Sequence, residues 1–257
     1  MIGLIIIIVV IIYAIKLYND KQKRIRNFQM PADTKQLLVT NVPFYNNLSN
    51  ENKIVFENRI KDFLQHVRIT GVGTVVEDID RILIASGAII PIFSFPGWRY
   101  NNINEVLLYK DAFNMEYDMT GDDRNILGLV GDGALHRQMI LSQASVRSSF
   151  QNATDGHNVV IHEFAHLIDK ADGATDGIPE YLLRRPYILP WINKMHETIS
   201  KMKENESADI NIYGATNHAE FFAVVSEYFF ERPDKLREHH PELYQMLEKM
   251  FIPGSKN

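Results

Sequence analysis

Apolar positions repeat at helical spacing over much of the chain. Across residues 49–67 they recur every three or four positions, which predicts an amphipathic helix capped by Ser49 or Asn50. Residues 81–93 are almost continuously apolar, and the length of this stretch favours a buried helix over a strand. From Tyr181 onward the pattern is again helical, with breaks at prolines.

Two short segments have the composition of β-strands instead. Residues 105–109 read Glu-Val-Leu-Leu-Tyr and residues 138–141 read Gln-Met-Ile-Leu. Both are too short for a typical helix and are rich in residues that favour strands. Together with the helical segments they predict an α+β fold that is mostly helical and contains one small β-sheet.

The N-terminus differs in kind from the rest of the chain. Residues 1–15 are almost unbroken Ile, Val and Leu, and with Lys16 snorkelling the run approaches the roughly 17 residues that span a bilayer. Basic residues follow the run and are opposed only by Asp20, so the positive-inside rule keeps this flank in the cytoplasm. We therefore expect a single-pass anchor in the cell membrane with the globular domain in the cytoplasm. The alternative is a buried strand or core helix.

These patterns divide the chain into a transmembrane anchor at residues 1–18, a basic juxtamembrane linker at 19–48 and a globular domain at 49–257. With 46% apolar residues, the 257-residue chain can bury a sizeable core. A net charge of −5 gives no electrostatic basis for binding nucleic acid. The sequence contains no cysteine, which excludes disulfides, thiolate zinc sites and cysteine nucleophiles.

The most specific motif is the pentapeptide His-Glu-Phe-Ala-His at residues 162–166. Positions four apart share one face of an α-helix, so His162 and His166 can reach the same metal ion. Glu163 lies beside that face and can contact a metal-bound water. The flanking residues are apolar, which predicts a buried helix that begins near residues 155–156 and stops at Gly173. The motif therefore predicts zinc-assisted hydrolysis.

Two histidines leave the site incomplete, because catalytic zinc usually takes three protein ligands. Asp169 is better placed to accept a hydrogen bond from an imidazole N–H than to bind metal. Asp172 lies six residues past His166, but the chain lacks the midway glycine that such a ligand needs. Glu220 is favoured, because a carboxylate in an apolar helix is costly unless it is paired or bound to a cation. Glu227, on the same helix face, is either a ligand or a hydrogen-bond acceptor for one.

Two motifs carry a resemblance to a known family. They are His-Glu-Phe-Ala-His-x-x-Asp at residues 162–169 and Glu-Phe-Phe-Ala-Val-x-Ser-Glu-Tyr-Phe-Phe-Glu-x-Pro at residues 220–233. With similar connecting sequence, roughly residues 50–250 resemble the Mlc titration factor A family of bacterial zinc peptidases. The resemblance implies a zincin-like metallopeptidase domain whose catalytic site is related to that of anthrax lethal factor.

The resemblance also implies a role for five residues. His162, His166 and Glu220 would bind Zn²⁺, Glu163 would act as general base, and Tyr213 would stabilise the oxyanion. The implied activity is aminopeptidase-like hydrolysis of a peptide or protein substrate. The alternative is a non-catalytic, membrane-tethered regulator, because the family takes its name from binding a transcriptional repressor. A complete set of ligands with a base favours the peptidase.

Overall fold

Helices make up most of the described chain, and four short strands form one mixed sheet. The computed structural model describes residues 2–120, 123–131, 133–152, 155–204, 207 and 209–253. The helices are α1 (Ile2–Asn27), α2 (Thr34–Asn41), α3 (Pro43–Asn46), α4 (Asn50–His66), α5 (Asp78–Ile89), α6 (Gln143–Gln151), α7 (Val159–Asp169), α8 (Arg185–Lys203), α9 (His218–Glu231), α10 (Pro233–His239) and α11 (Pro241–Phe251). The strands are β1 (Arg68–Val72), β2 (Glu105–Tyr109), β3 (Gly128–Val130) and β4 (Gln138–Ser142). The expected α+β fold, mostly helical with a small sheet, is confirmed.

The sheet has the strand order β1-β2-β4-β3. β2 is parallel to both β1 and β4, whereas β3 runs antiparallel to β4, with Gly128 opposite Leu141. β2 and β4 occupy the predicted segments, and β4 extends to Ser142. The sequence pattern does not reveal β1, which contains a glycine and an arginine, or β3, which has only three residues. Both owe their strand conformation to pairing within the sheet.

Helix boundaries follow capping side chains more closely than apolar residues. α4 begins at Asn50 as predicted, and the Ser49 hydroxyl accepts a hydrogen bond from Asn52 N at 3.3 Å. α5 begins three residues before the predicted position, because Glu77 and Asp80 form a capping box. The apolar stretch after Ile89 continues as turns rather than as helix.

The predicted membrane anchor is wrong. α1 is 26 residues long, but within the ranges given above no helix combines the length and the apolarity needed to cross a membrane. The apolar run stops at Lys16, and residues 2–15 cover roughly 21 Å as a helix, short of the ~30 Å hydrocarbon core. The membrane attachment and the single-pass localisation were inferred from this anchor, so these two predictions are wrong as well.

The segment expected to be a basic linker, residues 19–48, contains packed helices. Leu38 and Val42 are buried in the core, as is Tyr45, whose hydroxyl donates to Glu57 Oε1 at 2.7 Å. The end of α1 contacts α4, since Gln65 Nε2 donates to the carbonyl of Ile25 at 3.2 Å. The core therefore includes residues on both sides of the predicted boundary at residue 49.

Aromatic side chains fill the core around α7 and α9. Phe164 of α7 and both Phe221 and Phe222 of α9 are fully buried. Trp191 of α8 packs against the two α9 rings, and its Nε1 donates to the carbonyl of Gly177 at 2.7 Å. Phe164 packs instead against the rings of Phe63 and Tyr100, so α7 and α9 are each fixed in the close-packed core by neighbouring aromatic side chains.

A buried carboxylate joins α5 to α6. Asp80 is fully buried, and its Oδ1 accepts from Arg147 Nε at 2.7 Å. Its Oδ2 accepts from Arg147 Nη2 at 3.0 Å, from Gln143 Nε2 at 2.7 Å and from Glu77 N at 2.9 Å. Both helices also pack against α7, so this network supports the helix that carries the pentapeptide.

Loss of the Asp80 carboxylate should destabilise the fold. We expect Asp80→Ala to lower the free energy of unfolding by about 1–3 kcal/mol, because it removes a buried acceptor of four hydrogen bonds, whereas Arg147 is partly exposed and keeps Glu77 at 3.0 Å. In the control, Asp78→Ala removes an exposed carboxylate 3.9 Å from Arg81, and should cost less than about 1 kcal/mol. Chemical denaturation followed by circular dichroism measures both, and equal losses would contradict a structural role for Asp80.

Candidate metal centre

α7 begins at an asparagine cap. The Asn158 side chain accepts hydrogen bonds from Val160 N and Ile161 N, each at 3.1 Å. The helix therefore begins at Val159, later than predicted from residues 155–156, and it ends at Asp169 before a 3₁₀ turn that reaches Gly173. Its first turn is β-branched and a weak helix former, so burial of the apolar face supplies most of its stability.

α9 places Glu220 in its first turn. The Asn217 side chain caps the helix and accepts a hydrogen bond from Glu220 N at 2.9 Å. The residues that follow Glu220 are buried as far as Phe229, and α7 is one of the elements packed against this helix. The contact between the two helices brings the Glu220 carboxylate over the histidine face of α7.

Three donor atoms meet where the two helices cross. His162 Nε2 lies 3.2 Å from His166 Nε2 and 3.0 Å from Glu220 Oε2, and His166 Nε2 lies 3.5 Å from the same oxygen. In a tetrahedral zinc site with bonds of about 2.0–2.1 Å, neighbouring ligand atoms are roughly 3.3 Å apart. The observed triangle has these dimensions. Among the described residues, these side chains form a group able to hold a metal ion.

Glu227 contacts the opposite side of the first imidazole. Its Oε1 accepts from His162 Nδ1 at 2.6 Å, and its Oε2 accepts from Asn158 N at 2.6 Å. One turn further along α9, Glu231 Oε1 accepts from Asn158 Nδ2 at 3.0 Å. Glu227 thus fixes the imidazole with Nε2 directed at the other donor atoms. Of the two roles left open by the sequence, the structure places it as hydrogen-bond acceptor.

The two aspartates that follow the pentapeptide accept hydrogen bonds from backbone N–H groups of the loop after α7. Asp172 is exposed and accepts from the backbone N–H groups of Ala174 and Glu180. Asp169 is fully buried, and its Oδ2 accepts from Gly177 N at 2.8 Å. Burial raises the pKa of Asp169 to about 6. The structure therefore uses Asp169 Oδ2 in the loop, whereas Asp169 Oδ1 and His166 Nδ1, both buried, have no hydrogen-bond partner among the described residues.

Gly177 allows this loop to approach α9 closely. Its φ of +77° lies in the left-handed region, and a Cβ atom there would be 2.3 Å from the carbonyl oxygen of His218. Only glycine fits this position. The loop is thereby held against the start of α9, next to the turn that carries Glu220.

Glu163 lies against the edge strand of the sheet. It is buried, and a Cβ atom on Gly128 of β3 would come within 2.6 Å of both its Cγ and its Oε1. The absence of a side chain at Gly128 therefore provides the space that the Glu163 carboxylate occupies. This dependence is invisible in the sequence, because β3 is too short to predict.

The charges of the cluster favour a cation. Burial lowers the pKa of His162, but hydrogen bonds to Glu220 and Glu227 outweigh burial and raise this pKa well above its usual value. Burial raises the pKa of Glu220, but the bonds from His162 and His166 outweigh it and hold this pKa at about 2. The pKa of Glu163 is raised by burial, against the attraction of both histidines. Carboxylates concentrated in a buried site stabilise a positive charge among them.

Tyr213 lies beside the donor atoms on a short 3₁₀ turn, Ile212–Ala215, before α9. Its ring centroid is 6.1 Å from that of His162, and half of its surface is exposed. Burial raises the pKa of its hydroxyl, as do the charge and hydrogen bond of Glu220. The hydroxyl thus stays protonated at neutral pH and can donate a hydrogen bond.

The donor atoms lie in a cleft with two arms: His162 lines both arms, whereas His166 and Glu220 line only the first. One arm has a volume of about 650 Å³ and continues past Lys170, Thr175, Asp176 and His218. The other has a volume of about 690 Å³ and continues past Ser145, Ser148, Asp155, His157 and Asn211. Both arms are lined by Met115, Ile126, Gly128, His162, Glu163 and Tyr213. All five residues expected at the site thus line the cleft or contribute donor atoms to it.

The two caps and the edge strand are the parts of the site that sequence reasoning missed. Asn158 and Asn217 each precede an apolar helical run directly, which is a recognisable cap signal. Gly128 has no comparable signal, because its importance comes from a contact with a residue 35 positions away.

Known proteins match the chain over most of its length. The profile of the family described as glucose-regulated metallo-peptidase M90 matches residues 17–252. An uncharacterized protein of Synechocystis sp. is 32% identical over 243 residues, 90% of this chain and 87% of its own. Mlc titration factor A of Pectobacterium atrosepticum is 28% identical over 226 residues, 82% of each chain. The expected resemblance is confirmed: the chain belongs to the glucose-regulated metallo-peptidase M90 family, and membership implies a metal ion.

Proposed function

We propose that this chain is a zinc-dependent peptidase in which His162, His166 and Glu220 hold the metal. The observation that carries the proposal is the triangle of donor atoms in the cleft, with Glu163 beside it. Two imidazoles and one carboxylate form a donor set found in zinc peptidases, and they leave a fourth position for reactants. The family description supports peptidase chemistry over other metal-assisted hydrolysis.

Glu163 is the proposed general base. A zinc ion, when bound, supplies a Lewis acid that lowers the pKa of water and polarises a carbonyl group. The Glu163 carboxylate takes a proton from the attacking water and passes it to the leaving amine nitrogen as the peptide C–N bond breaks. The side chain lines both arms of the cleft, so it lies within reach of a peptide in either arm.

Tyr213 is the proposed oxyanion stabiliser. The attacked carbonyl oxygen gains negative charge, and the protonated hydroxyl of a residue that lines the cleft can donate a hydrogen bond to it. Its exposed position on a 3₁₀ turn leaves the ring room to adjust when a peptide enters. Glu227 acts indirectly, because its hydrogen bond sets the orientation of the His162 ring.

The backbone of β3 supports a peptide as the substrate. The Leu127 carbonyl and the Gly131 N–H each make a 2.9 Å hydrogen bond with β4. Because backbone polar groups alternate in direction along an antiparallel strand, the N–H and C=O groups of Gly128 and Val130 are directed away from β4, and both residues line the cleft. An edge strand with outward polar groups binds extended peptides through main-chain hydrogen bonds. The proposed substrate is therefore a peptide or protein segment in extended conformation.

A protein partner is a separate proposal. The name Mlc titration factor A says of the relatives that they titrate Mlc, and we carry a repressor-type partner over to this chain only on that basis. A purely non-catalytic regulator has less support. Such a protein would need neither a glutamate at position 163 nor the space at Gly128 that the Glu163 side chain occupies.

Replacing the base should separate metal binding from catalysis. We expect Glu163→Gln to keep one zinc per chain, because the ligands are unchanged, and to lower kcat by roughly 10²–10⁴-fold. Elemental analysis measures the zinc, and cleavage of internally quenched peptides measures turnover. Full turnover in this variant would refute the base assignment.

Adding one methyl group on β3 should impair the same step without touching a ligand. In Gly128→Ala the new Cβ must displace the flexible end of Glu163, so we expect kcat to fall by at least about tenfold while the zinc content stays at one per chain. The melting temperature is the control that shows whether the variant is folded; the backbone at Gly128 is not in the left-handed region, so alanine brings no backbone strain. An unchanged kcat would show that Glu163 tolerates the shift and would contradict its proposed positioning.

The ligand set can be tested by metal content alone. We expect His166→Ala and Glu220→Gln to weaken zinc binding by at least about 100-fold, since each removes one of three ligands. Asp172→Asn is the matched control and should keep zinc, because its carboxylate caps a turn. One equivalent of tightly bound zinc in His166→Ala, or its loss in Asp172→Asn, would overturn the assignment.

A further inference from the structure

The 3₁₀ turn that carries Tyr213 is exposed and has little packing of its own. Ile212 is 61% exposed and Tyr213 is 51% exposed. The Asn211 side chain accepts a hydrogen bond from Tyr213 N at 3.0 Å, and the Asn211 carbonyl accepts from Gly214 N at 2.9 Å. These bonds are local, so they set the shape of the turn but not its position relative to the donor atoms. That position depends on how the two ends of the turn are attached to the helices.

The C-terminal end of the turn is attached by packing. Gly214 and Ala215 are buried, and a Cβ atom on Gly214 would lie 3.2 Å from Val224 Cβ of α9 and 3.4 Å from Met202 Cε of α8. Such close contacts hold the backbone against both helices. They come after Tyr213 in the chain, so the segment before it needs an attachment of its own.

The N-terminal end is attached through the carboxylate of Asp209. Its Oδ2 accepts from the Tyr228 hydroxyl at 2.9 Å and from His239 Nδ1 at 3.0 Å, and its Oδ1 accepts from His240 Nε2 at 2.9 Å. Tyr228 belongs to α9, His239 is the last residue of α10, and His240 follows it. The next residue after Asp209, Ile210, is buried in the core. Asp209 thus ties the start of the turn to α9 and to the end of α10.

Three side chains compensate the charge of this carboxylate. Burial raises the pKa of Asp209, but hydrogen bonds from His240, Tyr228 and His239 outweigh burial and hold this pKa at about 2. Asp209 is therefore ionised at neutral pH. Hydrogen bonds to an ionised acceptor are roughly twice as strong as those between neutral groups, so the attachment persists under working conditions.

α9 connects this attachment to the donor atoms. Glu220 lies in the first turn of the helix, Glu227 accepts from His162 Nδ1, and Tyr228 is the residue after Glu227. One helix therefore carries one proposed ligand and orients another. Through Asp209 it also holds the turn that carries the proposed oxyanion stabiliser.

We infer that Asp209 is a positioning residue, which holds the turn of Tyr213 against α9 and α10 so that the Tyr213 hydroxyl can reach the oxyanion. This inference rests on the proposed function and deepens it by assigning a residue that acts on the reaction through Tyr213. Among the described residues that line the two arms of the cleft, Asp209 is absent. Its loss should therefore lower kcat and leave KM nearly unchanged.

A double-mutant cycle tests whether Asp209 acts through Tyr213. Cleavage of internally quenched peptides is measured for the zinc-loaded wild-type protein, Asp209→Ala, Tyr213→Phe and the double variant. We expect Asp209→Ala to lower kcat by at least about tenfold with KM within about twofold, because a small displacement of the hydroxyl removes its contact in the transition state. In the Tyr213→Phe background the same substitution should lower kcat by less than about twofold, because the group that it positions is already absent.

The control is Asp234→Ala, which removes an exposed carboxylate of α10 that lies 3.9 Å from Arg237 and should leave kcat unchanged. Melting temperatures show whether each variant is folded. An unchanged kcat in Asp209→Ala, or equal losses in both backgrounds, would overturn the inference while leaving the proposed roles of Glu163 and Tyr213 intact.

Hydrogen exchange tests the attachment without relying on catalysis. The amides of Tyr213, Gly214 and Thr216 donate hydrogen bonds within residues 210–217. We expect Asp209→Ala to speed exchange in residues 210–217, measured by mass spectrometry, by at least about tenfold, and exchange in residues 221–229 of α9 by less than about twofold. Asp234→Ala should leave both segments unchanged.

The outcomes of the exchange experiment are distinct from those of the kinetics. Unchanged exchange in residues 210–217, or an equal increase in α9, would overturn the positioning role of Asp209. The expected exchange in a wild-type protein that cleaves no peptide would support the attachment and refute the proposed peptidase activity.

Discussion

The site depends on the packing of α7 against α9, because carboxylates of α9 accept hydrogen bonds from buried polar groups of α7 and its cap. Glu227 of α9 accepts both from the His162 ring and from the backbone at the start of α7. Glu231 accepts from the side chain that caps α7. An unpaired carboxylate or imidazole in such apolar surroundings would cost several kcal/mol. The requirement to pair these groups therefore sets how the two helices cross, and the crossing sets the positions of the donor atoms.

The same constraint explains why the grouping of His162, His166 and Glu220 could be predicted from the sequence. The four-residue spacing of His162 and His166 fixes their common face on any helix, and an isolated Glu220 in an apolar helix demands a cation or a partner. Glu227 was also a candidate from the sequence, as a ligand or as a hydrogen-bond acceptor. Which role it takes depends on whether it meets the donor atoms or the Nδ1 atom of His162. That choice is made by the packing of the helices and not by spacing.

Other features could not be predicted from the sequence, because they arise from contacts between segments that are distant along the chain. β3 is three residues long and exists through its pairing with β4, so the gap that Gly128 leaves for Glu163 could not be foreseen. Asp169 was expected to accept a hydrogen bond from an imidazole, but the bond that its carboxylate accepts comes from Gly177 N in the loop after α7. The N-terminal run was interpreted from its composition as an anchor. The described helix α1 extends well past that run into charged residues and does not meet the requirements of a membrane span.

The central claim is that one zinc ion occupies the triangle formed by His162, His166 and Glu220. Anomalous diffraction from crystals of the purified protein, collected on both sides of the zinc absorption edge, tests it most directly. The account predicts a single zinc peak about 2.0–2.2 Å from both Nε2 atoms and from a Glu220 carboxylate oxygen. A zinc peak bound instead by Asp169, Asp172 or Glu227, or the signature of a different metal in the triangle, would contradict it.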